Sequence, residues 1–218
     1  CRKYYSYING TKAYEGKNVF VAGKSPMLPF NVPAALSPTA SNASTPRTTR
    51  ICVIAGGPCS GKTSLLKALG GAYKVVPETA EVVINAGIAA GISVEEQRKD
   101  PMAWQMDLLE KDFALFESLA ESSSNELVVT DTSFIETVVF SARAGIEMSP
   151  AVDAWLRNKR YNVVFFLAPI EEYESTAVRM ESHDVAAKIS KEVQAAYRQY
   201  GYELVVVPSM SIEERCKF

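Results

Sequence analysis

The segment of this 218-residue chain best suited to chemistry is Gly56-Gly57-Pro58-Cys59-Ser60-Gly61-Lys62-Thr63, which fits the spacing G-x-x-x-x-G-K-[ST]. Small residues at these positions let successive backbone N–H groups curl around a phosphate chain, while a helix starting directly afterwards points its positive end at it. In that arrangement Lys62 reaches the β- and γ-phosphates, and the Thr63 hydroxyl sits on a Mg2+ ion bridging the same oxygens. The expected phosphate-binding set is Gly56, Gly57, Pro58, Cys59, Ser60, Gly61, Lys62, Thr63 and Ser64. Cys59 occupies a free position, where a thiol at a helix start is either redox-sensitive or simply small enough to fit.

A magnesium-nucleotide site needs a second carboxylate facing the loop, at the C-terminal end of a neighbouring apolar strand. Leu127-Val128-Val129-Thr130-Asp131 supplies one, with Asp131 read as a metal ligand, direct or through water, or else as a cap of the next turn. Glu78 ends another strand, where it is either a base for an attacking hydroxyl or an ordinary helix-start carboxylate. Arg179 lies where a lid would cover the phosphates, as a charge-stabilising cation or a solvated surface residue. His183, the only histidine, has no partner in sequence for a nucleophilic or metal site.

These groups work only if strands and helices alternate around them, and from Arg50 onward they do. Strands are expected at Ile51–Ala55, Tyr73–Val76, Leu127–Thr130, Asn162–Leu167 and Glu203–Val207. Helices are expected from Lys62 to Leu69, from Thr79, from Pro101 to about Ala120, over Phe134–Ala144, from Pro150, from about His183 to Tyr200 and from Ser211. Asp100-Pro101 reads as N-cap and first helical position, and Ser211-Ile212-Glu213-Glu214 as a capping box. Met102, Met106, Leu109, Phe113 and Phe116 recur at helical spacing and are expected in the core. The fold class that follows is α/β, a P-loop NTPase with a five-stranded parallel sheet and helices on both faces.

Residues 1–36 form a basic, aromatic arm with Tyr4, Tyr5, Tyr7 and Tyr14, too apolar for a solvated tail, and read as docking on a protein partner or on its own domain. Residues 37–49, rich in Ser, Thr and Pro, read as an irregular linker, and residues 50–218 as the nucleotide-binding domain. The net charge of −2 conceals an asymmetry: residues 1–50 carry seven Lys or Arg against Glu15 alone, leaving −8 on the remainder. So acidic a body points to a small molecule or a protein as partner, and away from nucleic acid. No apolar run approaches the length of a membrane span. The four cysteines show no paired spacing, which fits a reducing compartment, cytoplasm or organelle, the organelle reading resting on a basic N-terminal segment that begins at Cys1.

Gly56–Thr63, Val-Val-Pro-Glu-Thr-Ala at 75–80, Asp131, Ala196-Tyr197 through Gly201-Tyr202-Glu203-Leu204, Val207-Pro208 and Ser211–Arg215 together resemble the NadR and translocation-defect-protein-like AAA-type P-loop family. The resemblance covers about residues 50–218. It implies nucleotide binding with Mg2+, a kinase-like architecture, Lys62 and Thr63 on phosphates and metal, Glu78 on the acceptor side, Asp131 on the metal and Arg179 in the lid. Two positions depart from the family pattern: Glu81 and Thr132 stand where the family usually has Arg. A guanidinium fork cannot be replaced by an acidic or neutral side chain. Three activities stay open: phosphoryl transfer from ATP or GTP to a small hydroxylated acceptor, slow hydrolysis in a regulator, and a catalytically degenerate subunit docked through its arm. The absence of a guanine signature favours ATP.

Overall fold

The computed structural model describes residues 49–122, 126–169 and 183–218. The strands are β1 (Arg50–Ala55), β2 (Lys74–Val76), β3 (Leu127–Asp131), β4 (Val163–Leu167) and β5 (Leu204–Val207). The helices are α1 (Lys62–Leu69), α2 (Thr79–Ala89), α3 (Val94–Gln97), α4 (Pro101–Glu121), α5 (Phe134–Arg143), α6 (Pro150–Asn158), α7 (His183–Gln199) and α8 (Ile212–Lys217). All strand pairs are parallel, in the order β2-β3-β1-β4-β5. A parallel sheet needs a crossover between neighbours, so its strands are covered on both faces and read as apolar runs.

The two faces separate along β1 with a period of two. Ile51, Val53 and Ala55 point into the larger core with α4, α5, α6 and α7, whereas Ile54 packs with Leu65 and Leu66 of α1 and Val207 of β5. The larger core is aromatic: Phe113 stacks on Trp155 at 3.8 Å between ring centroids and Phe134 on Tyr161 at 4.5 Å, with Phe116 edge-on to three of these rings.

Local signals act as read. Asp100 accepts hydrogen bonds from Met102 and Ala103 N–H, Ser149 from Val152 N–H, and Ser211 with Glu214 forms the capping box. The α4 stripe needs correction. Leu109, Phe113 and Phe116 are buried as expected, but Met102 and Met106 are only half-buried, and the buried face instead carries Trp104, Gln105, Leu108 and Asp112. Polar Gln105 and Asp112 are held there by partners from α2 and α5, which an apolar count cannot anticipate. The short α3 was not expected. It packs Gln97 so closely on Gly87 of α2 that a Cβ there would lie 2.2 Å from the carboxamide.

Candidate nucleotide site

Register places the site. Ile54 of β1 pairs with Asp131 of β3, and Val76 of β2 with Thr130, so the loop after β1, the carboxylate ending β3 and Glu78 past β2 line up along one edge of the sheet. The loop enters α1 through Gly61, whose φ of 89° is left-handed backbone that favours glycine. Gly57 is small for a different reason: a Cβ there would come within 2.6 Å of Ser190 Cβ on α7. α1 has no acid in its first turn and no side-chain cap, so its leading N–H groups have no capping side chain.

Lys62 is 7% exposed and donates to Gly56 O at 2.8 Å and Gly57 O at 3.1 Å, which arches the loop around its ammonium group. Asp131 is buried, and its Oδ1 has no hydrogen-bond partner among the described residues. Burial pushes its carboxyl up to about 6 against the pull of Lys62, and Glu78 and Glu81 raise it further. The capping alternative belongs to another residue: Ser133, not Asp131, accepts from Ile135 N–H at the start of α5. A buried carboxylate oxygen without a donor, beside a lysine that already serves backbone carbonyls, fits a cation ligand.

Glu78 is the N-cap residue of α2, yet its side chain accepts no capping hydrogen bond from that helix. Its charge reaches Asp131, Asp112 and Glu136. A narrow slit of about 20 Å³ lies between Glu78, Thr79, Asp112, Thr132 and Glu136. A separate groove of about 870 Å³ opens on the other side of α2, toward Trp104 and Lys111 of α4, and Lys62, Thr63, Glu78 and Asp131 do not line it. Arg179 lies outside the described residues, as does the side chain of His183. Cys59 is exposed, with a left-handed φ of 59°, and Thr132 follows Asp131 at φ 63°. Among the described residues no group of three His, Cys, Asp or Glu side chains could hold a metal by itself, so phosphate oxygens would have to complete any Mg2+ shell here.

A family model described as an AAA domain matches residues 51–215. The chain belongs to this AAA-domain family. Solved structures agree on the fold. The NadR protein in complex with NR superposes with a TM-score of 0.53 at 18% identity, over 73% of this chain and 45% of that one. NadR in complex with NAD and AMP-PNP superposes with a TM-score of 0.53 at 16% identity, over 78% of this chain and 50% of that one. The chain therefore spans about half the length of those proteins. No curated protein matches the sequence. The AAA domain here has the α/β P-loop fold, and none of its described helices is long and apolar enough to cross a membrane.

Three residues of the AAA domain that matter to the site escape a sequence reading. Glu136, in the first turn of α5, is buried at 2% exposure, accepts from Gly56 N–H at 3.5 Å through Oε1 and from the Tyr197 hydroxyl at 3.3 Å through Oε2. Burial pushes it up to about 8 against the pull of Lys62, so it is largely protonated at neutral pH. The signal was present as an acid in the apolar run Phe134-Ile135-Glu136-Thr137-Val138-Val139. Asp112 accepts from Thr79 and Thr137 hydroxyls, tying α2, α4 and α5 together, and burial pushes it up to about 6. Arg215 of α8 donates to Ser60 O inside the loop, a contact with no counterpart in local spacing.

Proposed function

We propose that this protein binds a Mg2+-nucleoside triphosphate, ATP in preference to GTP, in the loop Gly56–Ser64 and performs kinase-like phosphoryl transfer to a small hydroxylated acceptor, or hydrolysis where no acceptor is bound. The observation that carries this reading is the pairing of a buried Lys62, arched into the loop carbonyls, with the unpartnered buried Oδ1 of Asp131. The NadR structure solved with AMP-PNP supports ATP as the nucleotide.

In this reading Thr63 and Asp131 would hold Mg2+, which neutralises charge on the phosphate oxygens when bound. The loop amides and Lys62 orient the polyphosphate. Glu78 stands at the slit where an acceptor hydroxyl would give up its proton. The slit is too narrow for an acceptor as it stands, so α2 would have to move away from α5 to admit one. Arg179 would supply the lid cation.

A second reading, nucleotide binding with little turnover, is favoured by Glu81, whose negative charge acts on Asp131 where an arginine is usual. Ground-state binding rests on the loop, whereas turnover needs cations that meet charge developing in the transition state. Equilibrium titration of Mg-ATP and Mg-GTP into the wild type and Lys62→Ala, beside a phosphate-release assay, tests both. Binding that Lys62→Ala weakens at least a hundredfold, together with turnover, is expected for the enzyme. Lysine-dependent binding without turnover selects the second reading, and no binding refutes both.

A further inference from the structure

We propose that Arg215 is the positioning residue that keeps the phosphate loop in its binding shape, by gripping it from behind. The inference rests on the nucleotide-binding reading above, but concerns a residue with no part in that chemistry. α8 is oriented independently of the loop: its capping box fixes the first turn, and Ile212 packs into the cluster of Leu65, Leu66 and Val207. One turn on, the Arg215 side chain is 4% exposed and runs under the loop. Nη1 donates to Ser60 O at 2.6 Å and Nη2 to Ala168 O, just past β4, at 3.4 Å. The fork thus ties the loop to the end of a central strand, which lysine, a point charge, cannot do with the same geometry.

The consequence for the loop follows from peptide geometry. In a trans peptide the C=O and the following N–H point in opposite directions. Pinning Ser60 O toward Arg215 turns the Gly61 N–H away from it, to the side on which α1 begins. Lys62 constrains the other arm of the loop through Gly56 and Gly57 carbonyls, so both limbs of the arch are tied before any ligand arrives. The guanidinium is also uncompensated: none of the ion pairs among the described residues includes it, and its Nε has no partner. A buried charge of this kind is costly without a counter-charge, and an anion held on the far face of the Ser60–Gly61 peptide supplies one.

The test compares the whole chain as wild type, Arg215→Met and Arg215→Lys, with Arg98→Lys as a control for loss of a buried arginine on the α3–α4 side. Methionine fills similar space without the charge and is compatible with folding. Amide hydrogen exchange of residues 57–61 is followed without nucleotide, and Kd for Mg-ATP is measured by titration. Arg215→Met is expected to speed exchange in the loop about tenfold while leaving the central strands protected, and to weaken Mg-ATP at least tenfold, with Arg215→Lys recovering part of the affinity. Arg98→Lys is expected to leave loop exchange unchanged. Should Arg215→Met fail to fold, Arg215→Lys carries the test through loop-confined exchange. Loop exchange and Kd within twofold of wild type in the variant that folds would overturn the inference. Faster loop exchange in a protein that binds no nucleotide even as wild type would leave the grip on the loop standing and remove the function. Binding that depends on Lys62 but not on Arg215 would do the reverse.

Discussion

Glu136→Gln removes an ionisable group that the fold keeps protonated, and the size of the effect follows from the structure. The folded chain holds this proton up to about pH 8, whereas an unstrained glutamate releases it near 4.5. Folding therefore takes up a proton throughout that window, and stability falls as pH rises through it, at about 1.4 kcal/mol per unit for one proton. Asp112 and Asp131, raised to about 6, add to the same fall and still release protons above pH 6, but both are present in the two chains, so the difference between wild type and Glu136→Gln reports Glu136. Glutamine mimics the protonated acid: its carbonyl oxygen still accepts from Gly56 N–H, and its amide can donate to the Tyr197 hydroxyl, which in turn meets Ser133 at 2.7 Å. Wild type should lose about 2 kcal/mol from pH 6 to pH 8 relative to Glu136→Gln, since the carboxyl is already half ionised at pH 8, with His183 and the amino terminus cancelling in the difference. Urea unfolding of both chains at pH 6, 7 and 8, with equal m-values, measures it. A constant difference between the two chains over that range would mean that Glu136 ionises normally, and the burial argument would be wrong.

Gly57→Ala forces a Cβ to 2.6 Å from Ser190 Cβ, and the resulting overpacking should cost about 1–3 kcal/mol and weaken Mg-ATP binding. Ser190→Gly in the same chain should restore binding, and a double-mutant cycle by titration that shows no coupling would refute the contact. Thr132 is a β-branched residue held at φ 63°, so Thr132→Gly should raise stability by about 1 kcal/mol, read as a higher Tm. An unchanged or lower Tm would show that no strain is stored beside Asp131.

What the sequence reveals and what it hides differ by the range of the interactions. The P-loop, the Asp100 and Ser211 caps and the strand ends are local, set by a few neighbouring residues, and α1 spans Lys62–Leu69 as the pattern predicts. The position of Asp131 at the end of β3 is legible because the apolar run Leu127–Thr130 stops at it. Glu136, Asp112 and Arg215 are not, because each is explained by a partner 25 or more residues away on another element: Gly56 for the first, Thr79 and Thr137 for the second, Ser60 for the third. A buried polar residue inside an apolar stripe breaks the periodic pattern without saying what satisfies it. The half-buried Met102 and Met106 err in the opposite sense, since helical spacing identifies a face but not how far a neighbouring element covers it.

The charge inventory of the site separates what it can bind from what it can accelerate. Glu78 and Glu81 act on Asp131, Glu78 and Asp131 act on Glu136, and Lys62 is a cation that acts on both Asp131 and Glu136. Protonation of Glu136 near neutral pH removes one negative charge from the back of the loop, and Arg215 adds a positive one behind it, while the side that carries Glu78 and Glu81 is acidic. A polyphosphate would enter such a cradle readily. An anionic acceptor on that side would meet the charges of Glu78 and Glu81, whereas a neutral or cationic one would not be repelled. If turnover is absent, Glu81→Arg is therefore the substitution that distinguishes a missing cation from a missing acceptor: it removes the acid beside Asp131 and supplies the guanidinium in one step, and phosphate release that stays at background would place the defect elsewhere.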